Sequence, residues 1–328
     1  MKSGIYKPLF RMLSIKQRGT KLLVFIFHRI VARHDPLLPA EPDAAQFDWM
    51  VRFVSRNFNV LSFGRALALL QTNRLPAASA CITFDDGYQD NFSVAAPILR
   101  RHGVVGTFFI ATKFVGGGRM WNDDIIEAVR ACPNGIVDWS EFGLGTHDLT
   151  ALHGRLVAIG EVLDKLKYFP HRQRETIARE IARRAGLPDK SALMMNAAEL
   201  KALRDAGMEL GSHTHSHPIL SKLSERDAER EVAQGKAELE AILGEPVTSF
   251  AYPNGNTQRD LGPRDAEIVK RLGFLGAATT DWGVASDRTD PFLIPRFTPW
   301  DRSPRRFAMR CAMLLAKGWR HEHSTRHR

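Results

Sequence analysis

The run Leu22-Leu23-Val24-Phe25-Ile26-Phe27 contains no polar residue. A strand with one wet face alternates apolar and polar side chains. An unbroken apolar run instead reads as a strand buried on both faces, which needs covering layers on each side. Ala80–Phe84, Gly106–Ala111, Glu209–Ser212, Ser249–Tyr252 and Phe274–Thr279 read as further strands. Helical segments fall between them. Ala44–Arg56 carries Phe47, Met50, Val51 and Val54 at helical spacing, Asn91–His102 stops at Gly103, and Glu199–Ala206 stops at Gly207. Glu225–Leu243 ends at Gly244, and Arg264–Leu272 follows. Strand–helix alternation predicts an α/β chain with a parallel sheet and crossover helices. With 328 residues the chain can bury a sizeable core as one barrel-like domain. Sites in such barrels lie at the C-terminal ends of the strands.

Two motifs fall at such ends. Thr83-Phe84-Asp85-Asp86-Gly87 closes one apolar run, and Ser212-His213-Thr214-His215-Ser216-His217-Pro218 closes the strand-like segment Glu209–Ser212. Adjacent carboxylates repel unless their labour is divided. A metal divides it, because one Asp binds the cation and the other is free to move protons. His213 and His217, four apart, are expected on one face of a helical turn as the remaining ligands. One Asp and two His leave a coordination position open, as catalytic zinc sites do. Each motif alone is weak. Asp-Asp-Gly is a common turn signal, and His-x-x-x-His lacks the Glu that zincins carry within it. Their pairing, each after a strand-like run, points to a site.

These residues resemble the NodB-homology polysaccharide deacetylases, carbohydrate esterase family 4, over about Leu22 to Trp300. The resemblance implies a distorted (β/α) barrel with a helical insertion. It implies Asp86, His213 and His217 as metal ligands and Asp85 as the base that takes a proton from water. The family's Arg-x-Pro-x-Gly motif reads Ala251-Tyr252-Pro253-Asn254-Gly255 here, so Ala stands where Arg is expected. This looks like the exopolysaccharide branch, which includes poly-N-acetylglucosamine deacetylases. By resemblance the backbone N–H of Asn254 stabilises the oxyanion. The family's Leu-x-His motif, which protonates the leaving amine, is absent. His28, at the end of the first strand, is the candidate substitute acid, histidine being the residue type suited to proton transfer near neutrality. Arg296, in Pro295-Arg296-Phe297, is the candidate cation for Asp85 in place of the missing motif Arg. The expected cofactor is a divalent metal, zinc first, with cobalt, nickel or iron fitting similar ligands. The expected activity is hydrolysis of N-acetyl groups on a polysaccharide or lipid-linked oligosaccharide. A deformylase or deacetylase of a small lipid-linked sugar, and a non-catalytic glycan-binding member of the fold, are the alternatives.

The formal net charge of +10 favours anionic surroundings. The basic residues are dispersed and no nucleic-acid motif accompanies them, so nucleic acid is not an expected partner. An anionic membrane surface is the better candidate. Phe307, Cys311, Leu314 and Leu315 share one face of a basic helical segment, which either packs on the barrel or lies on such a bilayer. Leu22–Phe27 is too short to span a membrane, and His28-Arg29 stands where a signal-peptide cleavage site would be. Three scattered cysteines suggest a reducing compartment. The expected location is cytoplasmic, with peripheral contact at the inner membrane face. The chain divides into a basic segment 1–20, a domain 21–300 with an insertion at about 120–195, and a basic tail 301–328 holding His321, His323 and His327. Trp121, Trp139 and Trp282 are candidate sugar-stacking platforms.

Overall fold

The computed structural model describes residues 4–16 and 19–317. Its frame is seven parallel strands: β1 Leu22–Phe27, β2 Ser79–Phe84, β3 Thr107–Ile110, β4 Glu209–Ser212, β5 Ser249–Ala251, β6 Gly276–Trp282 and β7 Ile294–Arg296. They lie side by side in chain order. A short strand, Asn59–Val60, pairs with β2 as a spur. Phe297, just past β7, donates its N–H to Val24 (2.7 Å) and accepts from Ile26 (3.0 Å). The last strand thereby meets the first, and the sheet is nearly closed. This is the distorted (β/α) barrel that the resemblance implies, built on the parallel sheet that the alternation of runs predicts.

Side chains alternate across each strand, and the two faces enter different cores. Leu22, Val24, Cys81, Phe109, Ala251, Ala278 and Ile294 form one cluster with Phe63, Ala66, Leu67 and Leu70. Leu23, Phe25, Phe27, Ile82, Phe84 and Phe108 belong to the larger cluster shared with the surrounding helices. The helix Phe63–Gln71, which the sequence reading did not pick out, plugs one end of the barrel. Its first N–H groups bond to Thr107 Oγ1 (2.9 Å) and the Glu209 carboxylate (2.9–3.0 Å), at the starts of β3 and β4. A carboxylate there also suits the positive end of the helix dipole. With that end closed, the C-terminal ends of the strands form the open mouth.

The insertion is a subdomain with its own core. The helices Trp121–Ala131, Leu152–Lys167 and His171–Arg184 and a two-stranded hairpin, Ile136–Asp138 with Thr146–Asp148, enclose Ile125, Val129, Val162, Leu166 and Ile181. The terminal segments are also built into the fold. The helix Lys7–Ser14 buries Phe10. The helix Pro304–Lys317 buries Phe307, Cys311 and Leu315 in the main core. The apolar stripe that was a candidate for an anionic bilayer is therefore occupied by the barrel, because Phe25, Phe53 and Phe297 offer it a matching apolar surface. Residues 301–317 are thus a packed element rather than a tail. Among the described residues no helix is long and apolar enough to cross a membrane.

Candidate metal centre and active site

The barrel mouth collects residues from distant stretches of chain. Asp85 follows β2, and its N–H donates to Phe27 (2.9 Å). Asp86 and Gly87 then adopt left-handed backbone, φ 76° and 93°. On a continued strand the two carboxylates would face opposite ways. The reversal turns both into the mouth.

His213 follows β4, its N–H donating to Ile110 (3.0 Å). The segment to His217 is not the helical turn expected from the spacing. Thr214 (φ 67°) and His217 (φ 57°) are left-handed, and Thr214 Oγ1 accepts from the His217 N–H (3.0 Å). This loop still brings the two rings to 4.9 Å. The helix Glu225–Leu243 pins it: Glu231 accepts from Ser216 N (2.7 Å) and Oγ (2.8 Å). A Cβ at Gly235 of that helix would come within 2.4 Å of the Thr214 backbone, so only glycine permits the approach. Asn254 (φ 60°) is left-handed as well. Non-glycine residues in this region cost about 1–3 kcal/mol each, and they persist where surrounding structure overdetermines them.

Asp86, His213 and His217 offer ligand atoms that all lie within 4.8 Å of one another. Asp86 Oδ1 lies 3.4 Å from His213 Nε2 and 3.3 Å from His217 Nε2. It is buried without a hydrogen bond. Ligands about 2.0–2.1 Å from a tetrahedral zinc stand roughly 3.3–3.4 Å apart, so these edges fit a cation. His213 Nδ1 is 2.7 Å from the Ala251 carbonyl. Donation to that carbonyl assigns the proton to Nδ1 and leaves the Nε2 lone pair facing Asp86, the usual outer support of a metal-binding His. Burial would raise the Asp86 carboxyl, but the neighbouring imidazoles of His217, His213 and His28 hold it well below its ordinary value. Burial dominates at His217, pushing its imidazole down to about 3, so it stays neutral and ready to ligate. At His213 burial acts in the same direction but Asp85 and Asp86 overcome it, and the net shift is upward. The residues fit a divalent cation.

Asp85 is held differently. Arg296 Nη1 and Nη2 donate to its two oxygens at 2.7 and 2.6 Å, while Arg296 Nε donates to the Thr279 carbonyl at 2.8 Å. Burial pushes the Asp85 carboxyl up, and Arg296, His213 and His28 outweigh it, leaving the group ionised and below its ordinary range. Arg296 lies in β7, not in a surface turn, and is fully buried. Ala251 is likewise buried, so the guanidinium beside Asp85 comes from a different strand than the family motif implies. His28 stands at the end of β1, half-buried, close enough for its charge to bear on Asp85, Asp86 and Glu41. Its carbonyl accepts from Asn91 Nδ2 (2.8 Å). Asn254 sits in the turn after β5, and its carbonyl accepts from Thr280 Oγ1. No described residue accepts from its N–H.

Several expectations change. Trp139 is buried in the insertion core, so it cannot stack on a sugar. Trp121 lies under the Arg174 guanidinium, 4.7 Å away. Trp282 is exposed and stacks on Trp300 (4.4 Å) at the surface. His215 turns to Glu238 (2.8 Å) rather than to the ligand set. His321, His323 and His327 lie outside the described residues. The sequence reading missed a network behind the Asp-Asp turn. Tyr88 Oη donates to Asp123 (3.0 Å), Arg29 pairs with Asp90 (2.8 Å), and the Arg29 guanidinium covers the Tyr88 ring. No local signal links Tyr88 to Asp123, which the insertion supplies.

Comparison with known proteins agrees with this fold. YxkH of Bacillus subtilis (strain 168), also named as a polysaccharide deacetylase, is 23% identical over 271 residues, covering 82% of this chain and 68% of YxkH. The deacetylase PplD of Streptococcus pyogenes, solved in complex with acetate, superposes with a TM-score of 0.61 at 19% identity, covering 90% of this chain and 99% of PplD. IcaB from Ammonifex degensii gives a TM-score of 0.57 at 18% identity, covering 91% and 98%. These similarities of structure concern the fold. The family description "Polysaccharide deacetylase" matches residues 72–276, from the end of the barrel plug to the first residue of β6, and the chain belongs to that family.

Proposed function

We propose that this protein is a metal-dependent N-deacetylase of an N-acetylated glycan. One observation carries the reading: a carboxylate locked by an arginine, Asp85–Arg296, stands beside a separate ligand set, Asp86, His213 and His217, whose central Asp86 Oδ1 has no hydrogen-bond partner. A glycan-binding member of the fold has no need of an ionised base next to a metal site. A divalent cation at this ligand set would supply Lewis-acid polarisation and a lowered pKa for water. Zinc suits two imidazoles and a carboxylate best, with cobalt, nickel or ferrous iron as alternatives.

The chain's own groups then have distinct tasks. Asp85 accepts a proton from the attacking water, while Arg296 fixes both its oxygens in one orientation. The Asn254 N–H donates to the acetyl oxygen as negative charge gathers there. His28 protonates the departing amine. The C–N bond breaks, and acetate and a free amine result. A deformylase or deacetylase acting on a small lipid-linked sugar would use the same groups.

Acetate release from chitooligosaccharides and poly-N-acetylglucosamine, with metal analysis alongside, tests the reading. His213→Ala and His217→Ala should each lose metal and turnover together. Asp85→Asn should keep the metal while turnover falls about 10²–10⁴-fold. Full metal occupancy in both His variants would overturn the ligand assignment. His28→Ala should slow amide hydrolysis more than hydrolysis of an activated acetyl ester, because a phenolate leaves unprotonated. Equal losses on the two substrates would remove His28 from the mechanism.

A further inference from the structure

Beside the metal centre lies a second cavity, of about 670 Å³, between the insertion and the Glu225–Leu243 helix. Its wall includes Ser216 and Pro218, the two chain neighbours of His217. Its charges do not balance. Three carboxylates line it, and each is already engaged. Glu175 pairs with Lys113 (2.6 Å), Asp227 with Arg230 (2.6 Å), and Glu231 accepts from Ser216. Lys167, Arg172, Arg174 and Lys222 also line it, and none of the four is in an ion pair among the described residues. The two lysines converge, their ammonium groups 5.6 and 5.9 Å from the centre of the Tyr168 ring.

Arg174 is the more telling group. It is 2% exposed and forms no ion pair among the described residues; the Trp121 ring lies 4.7 Å from it, and Glu175 acts on it only at longer range. Nη1 donates to the Lys167 carbonyl (2.8 Å), Nη2 to His171 Nδ1 (3.1 Å), and Nε has no partner. A buried cation that no carboxylate pairs with directly is unfavourable unless something anionic approaches it. Its charge also reaches His217, which ties the cavity electrostatically to the ligand set. His171 completes the link, with Nε2 3.0 Å from Ser216 Oγ. Guanidinium and ammonium groups gathered around one concave site are the chemistry that recognises phosphate or carboxylate oxygens.

We propose that this cavity is an anion subsite, which takes a phosphate or carboxylate carried on the glycan whose acetyl group enters the metal centre. The substrate is then an anionic N-acetylated glycan rather than a neutral one. This rests on the deacetylase reading, and the experiment separates the two.

Acetate release is measured for neutral chitopentaose and for matched pentamers bearing a 6-phosphate or a 6-carboxylate. At least one anionic pentamer should be preferred by roughly 10-fold in kcat/KM, mainly through KM, as charge-assisted contacts to two cations imply. The preference should vanish in the Lys167→Ala/Lys222→Ala double variant, in which one side chain is half-buried and the other exposed, and whose folding is checked by its melting curve. The arm preferred, phosphate or carboxylate, identifies the group. Turnover of the neutral pentamer with no anionic preference, or a preference that survives the double substitution, overturns the subsite while the deacetylase reading stands. If none of the pentamers releases acetate, the deacetylase reading fails, and calorimetric titration with inorganic phosphate and with acetate decides the subsite alone. Binding of either ion that weakens about 10-fold in the double variant supports it. Absence of binding, or equal binding by both proteins, overturns it.

Discussion

Two arginines are buried to nearly the same depth in this protein and are held in opposite ways. Arg296, at the barrel mouth, is 0% exposed and grips both oxygens of Asp85. Arg174, in the insertion, is 2% exposed, donates hydrogen bonds to a carbonyl and an imidazole and lies against the Trp121 ring, with one nitrogen unused. Burial alone therefore does not tell what a charged side chain is for. The Arg296 charge is consumed inside the fold, and its service is to keep a carboxylate ionised and aligned. The Arg174 charge is left over, and it faces a cavity.

The contrast can be broken by substitution. Arg296→Met strands the buried Asp85 carboxylate and should cost about 3–5 kcal/mol in a denaturant melt. Removing both charges together, Arg296→Met with Asp85→Leu, should recover much of that loss. A double variant as unstable as the single one would show that the pairing is not what Arg296 contributes. Arg174→Met strands no anion. It frees the acceptors on Lys167 and His171 and removes the cation from the Trp121 face, and should cost about 1–3 kcal/mol. A loss as large as that of Arg296→Met would erase the distinction.

A third effect, small per pH unit, extends the comparison to carboxylates. Asp85, paired, is held low, whereas Asp123, buried beside Tyr88 with no ion pair, is raised from 3.8 to about 7, chiefly by desolvation. Between those two values the folded protein binds a proton that the unfolded chain has released. The stabilisation is complete below pH 3.8 and is lost as pH rises to about 7. The slope is at most ~1.4 kcal/mol per pH unit for one proton. Melts of wild type and Asp123→Asn across this range should show the slope in the first and a flatter profile in the second. Parallel curves would place the Asp123 carboxyl in a more solvated setting.

What was readable from sequence follows the range of the interactions. β1 and β2 announced themselves because an apolar run buried on both faces is a local signal. Asp85, Asp86, His213 and His217 were legible because two sparse motifs ended two strand-like segments. The loop joining the histidines was not. A spacing of four suits a helical turn, but left-handed Thr214 and His217 meet it equally, and what selects them is the approach of Gly235 from another helix. Arg296 could be offered as the partner of Asp85 only because the motif position held Ala251. Its place in β7 depends on barrel closure, which no local pattern encodes. Trp139 was misread because the insertion has a core of its own. The Phe63–Gln71 helix was a local omission, since Phe63, Ala66, Leu67 and Leu70 follow the helical period. The anion cavity was invisible for a different reason: residues near 113, 167–175 and 215–231 meet only in three dimensions.

Barrel closure through Phe297 has a consequence for how the chain is made. Asp85 and Arg296 are 211 positions apart. A ribosome that has delivered β1 to β6 has released every proposed metal ligand, but not the cation that lets Asp85 enter a dry interior. The nascent sheet therefore has a reason to stay open at the β1 edge until the final strand emerges. That open edge is also the surface most exposed to wrong pairing during synthesis. A transcript cut just before β7 would yield a product that keeps both motifs intact and still could not finish folding around them.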